Sequence, residues 1–150
     1  LDDEFIDWGQ QEKFSTAIGV GECAGVMIDL VATLILEAEE KIANSKECFT
    51  SNAWADSIYH AYSAQVHSAK ALLLQKGVQC NTQHGILHDF DKHFTEAGLY
   101  SNASTFTSHV LRMNKAEPSA SFAGDYLLQA EEFVAYAKQV REQLVLKEKV

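Results

Sequence analysis

Between Ala55 and Leu73 the residues Ala55, Ile58, Tyr62, Val66, Ala69 and Leu73 recur at steps of three or four. That is the period at which side chains return to one face of an α-helix. Tyr59 and Tyr62 open the stripe, and Ala61, Ala64, Ala69 and Ala71 are small enough to let other helices approach closely. A segment of this kind packs as a helix within a bundle. One proline and eight glycines are too few for the many turns of an all-β protein. With 150 residues the chain is one domain, able to bury roughly 68–70% of the surface it exposes unfolded. The fold class expected is all-α, an antiparallel up-down bundle of four main helices plus a shorter one.

The other helices follow from the same period and from their punctuation. The first runs from about Glu22 to Thr50; its Cys23–Leu36 part is apolar except for a stripe through Asp29 and Thr33, which predicts the central helix of the bundle. Ser51 and Asn52 supply cap-type residues for the second helix, which Gly77 ends. Thr82 starts a third, shorter helix with Ile86, Phe90 and Phe94 on one face, closed by Gly98. Phe106, Val110 and Met113 mark a fourth. Pro118 fits the first turn of a last helix striped by Tyr126, Ala130, Phe133, Ala137, Val140 and Leu144. Residues 1–21, with Trp8-Gly9 and Gly19-Val-Gly21, break the helical period and read as an irregular arm or linker before a bundle at 22–150.

Charge and cysteine usage narrow the partners. Twenty-one acidic residues against twelve basic ones leave a net charge of −9. A nucleic-acid binder neutralises phosphates with Lys and Arg. Arg112 and Arg141 are the only arginines and no basic run occurs, so a nucleic-acid partner is not expected. Cys23, Cys48 and Cys80 are odd in number and widely spaced, which predicts reduced thiols in a cytoplasmic protein. The acidic start, Leu1-Asp-Asp-Glu4, lacks the pattern of a signal peptide. The most apolar window is interrupted by Asp29 and falls short of the ~20 residues a membrane helix needs. A first residue other than Met suggests a segment of a longer protein.

Several residues carry possible chemistry. Gly19-Val-Gly21-Glu-Cys-Ala24 fits a dinucleotide fingerprint, but that motif needs a strand before it and a βαβ unit around it. A glycine entry into the first helix is the reading kept. His84, His88 and His93 lie close in sequence, and His84/His88 share a helix face; no carboxylate can be assigned to orient their rings, so no metal is expected. His60, His67 and His109 are possible general bases, each needing a partner that sequence does not place. Asp29, set among Met27, Ile28, Leu30 and Val31, must be paired, bonded or exposed. A structural polar network with Tyr59 or His67 is preferred to catalysis there.

Taken in order, Tyr59, Tyr62, Ala69-Lys-Ala-Leu-Leu73, Thr82-Gln-His-Gly-Ile86, Phe90 and Gly124-Asp-Tyr126 resemble the HEPN family of small helical bundles over roughly residues 24 to 147. Many HEPN members bind nucleotides or cleave RNA, and their ribonucleases share an arginine, a spacer of four to six residues and a histidine. Here no arginine precedes His109, and Asn102, Ala103 and Ser104 fill the upstream window. The arginine often found before the Asp-Tyr pair is missing, and Gln83 stands where the family usually has a histidine. The resemblance thus implies no ribonuclease activity and no catalytic residue. It implies a homodimer, and as an alternative function a degenerate nucleotide pocket using Tyr59, Tyr62, Lys70 and His109.

A narrower resemblance lies upstream. Phe5-Ile-Asp-Trp-Gly9 and the run from Ile18 to Leu34 resemble the last segment of nitrite/sulfite reductase-like proteins of the Bacteroidetes type, where a HEPN-like bundle follows ferredoxin-like and sirohaem-binding halves. It implies a non-catalytic accessory domain for assembly or docking, with the upstream reductase domains as its partners. Sirohaem and a 4Fe–4S cluster would belong to those domains, and no cofactor to this segment.

Overall fold

The computed structural model describes residues 20–102 and 104–149, with side chains for 30–102 and 104–143. Helix α1 spans Val20–Thr50, α2 Trp54–Gln75 and α3 Gln83–Phe90. The last continues into a π-helical turn at Asp91–Thr95. Helix α4, Phe106–Val110, runs into a 3-10 turn at Leu111–Lys115, and α5 spans Ala120–Lys149. Among the described residues there is no strand. The fold is the expected all-α bundle. Its length lies in α1, α2 and α5, with 31, 22 and 30 residues, whereas α3 and α4 have 8 and 5. The helical backbone of α1 includes Gly21; residues 1–19 of the expected arm lie outside the described residues.

Among the described residues the centre of the bundle is α2, not the Leu30–Leu36 part of α1. Every residue from Ala61 to Leu74 is buried, whereas Leu36 on α1 is 60% exposed. Even Ala55, expected on the packed face, is exposed at the helix start. The reason is side-chain size. Ala61, Ser63, Ala64, Ser68, Ala69 and Ala71 hold neighbours close on all sides of α2, while hydropathy alone only requires that one side of α1 be covered.

Helix α1 runs antiparallel to both α2 and α5. Ser45 and Ser57 fix the first pairing: each hydroxyl donates to the other residue's carbonyl, at 2.7 and 2.9 Å. Lys46–Glu131 and Lys138–Glu39 bridge α1 to α5 at 3.4 and 3.0 Å. Both pairs are largely exposed, so they set register more than stability.

The ends are set by local chemistry. Asn52 takes a left-handed φ of 62° between α1 and α2, a conformation asparagine tolerates better than most residues. Ala53, not Ser51 or Asn52, is the N-cap of α2. Gly77, at φ 81°, closes α2 with Val78 N–H donating to Leu73 O and Gly77 N–H to Leu74 O, the paired bonds of a Schellman end. Thr82 and Thr105 cap α3 and α4 through their hydroxyls. Ser119 does the same for α5, accepting from Phe122 N–H at 3.1 Å, so Pro118 precedes the cap and does not fill the first turn. No helix among the described residues is long and apolar enough to cross a membrane.

Candidate functional site

Phe90 and Phe94 stack with parallel rings 4.6 Å apart, and Phe106 and Phe133 close on Phe90 at 4.4 and 5.3 Å. Tyr100, from the connection before α4, stands edge-on to Phe133 and Tyr136 of α5 at 5.5 and 5.2 Å. The outer side of this aromatic cluster is the floor of a cleft of about 410 Å³. Tyr100, Ser101, Asn102, His109, Gln129, Glu132, Phe133 and Tyr136 line it. That volume is in the range of small-ligand sites, ~300–1,000 Å³. The two tyrosine rings are pinned: Tyr136 donates its hydroxyl to Leu99 O at 2.7 Å, and Tyr100's hydroxyl accepts from Asn102 Nδ2 at 3.1 Å.

His109 reaches the cleft because α4 is held at both ends. The carboxylate of Asp91, first residue of the π turn, accepts from Phe106 N–H at 2.7 Å and from Thr107 N–H and hydroxyl at 2.9 and 2.7 Å. A carboxylate here satisfies N–H groups that a helix leaves open at its N-terminus. At the other end Tyr126 donates to Val110 O at 2.6 Å and Gln129 Nε2 to His109 O at 3.1 Å. Gln129 Nε2 also donates to Gln65 Oε1 of α2 at 2.8 Å, while its Oε1 accepts from Arg112 Nε at 2.7 Å. One amide thus joins α2, α4, α5 and the 3-10 turn. Arg112 lies over the Phe122 and Tyr126 rings, 4.9 and 5.5 Å from their centroids.

The charges follow from this packing. Burial, with Arg112 nearby, lowers the pKa of His109 against the opposing pull of Glu132, so its imidazole is neutral at pH 7. Burial raises Tyr100, and the charges of Asp91 and Glu132 raise it further. Burial pushes Tyr136 up to about 12. Desolvation pulls Asp91 upward, but the donors of Thr107 and Phe106 outweigh it and hold the carboxyl below its usual range.

Of the residues proposed for a pocket, only His109 lines this cleft. Tyr62 is buried in α2 and donates to Gln83 Oε1 at 2.7 Å, tying α2 to the start of α3. Lys70 is 1% exposed within α2 and is withheld from a phosphate at the surface. Tyr59, 38% exposed, stands edge-on to the His60 ring. The four therefore do not form one site. His67 is buried; its Nδ1 lies 2.8 Å from Ser63 O and its Nε2 3.3 Å from Glu37 Oε2. A carbonyl only accepts, so Nδ1 carries a proton and Nε2 faces the carboxylate of Glu37. Asp29's side chain lies outside the described residues. His84 and His88 are exposed and His93 half-buried. Among the described residues no three His, Cys, Asp or Glu side chains converge as a metal site. Cys48 and Cys80 are free, and burial raises the Cys80 thiol pKa, which makes it a poor nucleophile.

A HEPN domain family model matches residues 31–148. The chain belongs to the HEPN family. Among curated proteins it is 31% identical, over 124 residues, to a Methanocaldococcus jannaschii protein named "Putative toxin MJ0605". That match covers 77% of this chain and 91% of the other. It is also 35% identical over 61 residues to the UPF0332 protein PH1297 of Pyrococcus horikoshii, 41% of this chain and 43% of that one. In this HEPN domain Asn102 and His109 line the same cleft, and Arg112 follows the histidine and turns toward the α5 rings. The sequence reading missed Tyr100, Glu132 and Tyr136. The available signal was the three-residue spacing of Phe133 and Tyr136 on α5, of which the core stripe takes in only Phe133. Three cysteines do not supply the four thiolates of a 4Fe–4S cluster, so the donor set here does not fit that group.

Proposed function

We propose that this HEPN domain is a binding module without nuclease chemistry, whose ligand enters the His109 cleft. One observation carries the reading: none of the eight lining residues is a lysine or arginine. Phosphodiester cleavage develops negative charge that needs preorganised donors or cations, and Asn102 lies in the window where family ribonucleases carry arginine. Arg112 is engaged by Gln129 and two rings on the core side. Purified chain mixed with single-stranded RNA at neutral pH is expected to leave it intact; cleavage that disappears in His109→Ala overturns the reading. The likeness to a protein named as a toxin, spanning most of that protein, favours the competing reading of an active toxin, and the same assay separates the two.

A nucleotide-binding HEPN pocket is the other alternative. Nucleotide at a hundredfold excess over Kd would stabilise the fold by about 2.7 kcal/mol, so a clear rise in melting temperature with ATP or GTP favours it. For biological context we propose an accessory domain for assembly or docking, following sulfite/nitrite reductase-like domains and pairing as a cytoplasmic homodimer. Its support is the resemblance of residues 5–34. A parent reading frame with no cysteine-rich sirohaem domain upstream ends that assignment, and a monomeric mass in solution ends the dimer.

A further inference from the structure

We infer that the His109 cleft receives a guanidinium group, presented by a small organic cation or an arginine side chain, and not a phosphate. The inference rests on reading this cleft as the ligand site. Tyr100, Phe133 and Tyr136 give it an aromatic floor, and the faces of such rings attract cations. Glu132, exposed at the rim, is the one carboxylate among the lining residues, and no lysine or arginine opposes it. Ser101 adds a hydroxyl oxygen and Asn102 an amide. His109 contributes no positive charge, because its imidazole is neutral. A phosphate entering here would meet Glu132 with no lysine or arginine among the lining residues to offset it, whereas a net charge of −9 draws cations toward the surface.

The fold already solves the same problem once. On the far side of Gln129 the guanidinium of Arg112 packs against Phe122 and Tyr126 and bonds to a side-chain oxygen at 2.7 Å. Rings and an oxygen acceptor recur in the cleft, with a carboxylate added. A guanidinium suits this better than an ammonium, since it is planar, weakly hydrated, stacks on aromatic faces and can bond a carboxylate through two N–H groups. Because hydrogen bonds pin both tyrosines, little side-chain order has to be created on binding.

Titration calorimetry on the full chain, with agmatine and with the capped tripeptide acetyl-Gly-Arg-Gly-amide as probes, tests this. Saturable one-to-one binding of either supports it: agmatine alone marks a small cation, the peptide alone an arginine side chain. Glu132→Gln should weaken binding at least about tenfold by removing a charge-assisted contact. Glu131→Gln removes the same charge from the other side of α5, where Glu131 pairs with Lys46, and should leave affinity unchanged. No saturable binding of either probe, equal weakening by the two variants, or tighter binding of inorganic phosphate or AMP in their place overturns the inference. AMP binding without RNA cleavage would end the guanidinium assignment and leave the binding-module reading standing. RNA cleavage would end that reading.

Discussion

Asp91 places the cleft histidine without touching it. Its carboxylate receives three donors from the first turn of α4, and that five-residue helix has no length of its own to hold it together. Asp91→Ala should cost about 2 kcal/mol, as the loss of hydrogen bonds to a charged acceptor, read as a lower urea midpoint. The His109 ring signal in NMR should shift at the same time. The pH dependence has a definite sign. A depressed folded pKa means that the unfolded chain binds this proton more readily. Asp91's contribution is therefore complete above the ordinary carboxylate value of 3.8 and is lost as pH falls through the lower folded value. Stability measured from pH 5 to pH 2 should fall less steeply in Asp91→Ala than in the parent chain. Tyr126 acts on the other end of α4, and Tyr126→Phe, which removes the side-chain donor to Val110 O, should cost about 1 kcal/mol in the same urea assay.

Two helical glycines show that position in an element decides what a residue is for. Gly85, in the first turn of α3, has no room for a methyl group. A Cβ there would meet Cys80 Sγ and come within 2.8 Å of Thr82 Oγ1, the capping oxygen. Gly85→Ala should displace the cap and cost about 1 kcal/mol. Gly124 is part of the Gly-Asp-Tyr run that carried the family resemblance, yet a Cβ there meets the Phe49 ring at an ordinary 3.5 Å. Gly124→Ala should therefore stabilise α5 by about 0.5–1 kcal/mol, the helix-propensity difference. Thermal unfolding of the two variants, expected to shift in opposite directions, checks both. The π turn at Asp91–Thr95 has no counterpart in the four-residue spacing of Phe90 and Phe94, which reads as continuous α-helix. One extra residue in that turn is a local departure that side-chain periodicity does not encode.

At the scale of the whole molecule, α2 is the shared wall of the bundle, and Gln65 and the Ser57–Ser45 pair join it to its neighbours by buried hydrogen bonds. Amides from Ala61 to Leu74 should exchange with deuterium only through global unfolding, while those of α4 exchange through smaller openings. Equal protection in the two helices would contradict this. The sequence by itself determined the all-α class, the approximate spans of α1, α2 and α5, the glycine stops at Gly77 and Gly98, and His109 as a residue of interest. These depend on neighbours within a turn or two, so they are written in local spacing. Only the tertiary structure decided which helix is central, because that depends on how closely several helices approach at once. It alone buried Lys70, which shares the α2 sequence with exposed Tyr59 but faces other helices. It alone brought Tyr100, His109, Glu132 and Tyr136 to one cleft from three separate segments. Contacts between residues distant in the chain are fixed by packing and by buried hydrogen bonds such as those of Asp91 and Gln129, for which periodicity carries no signal.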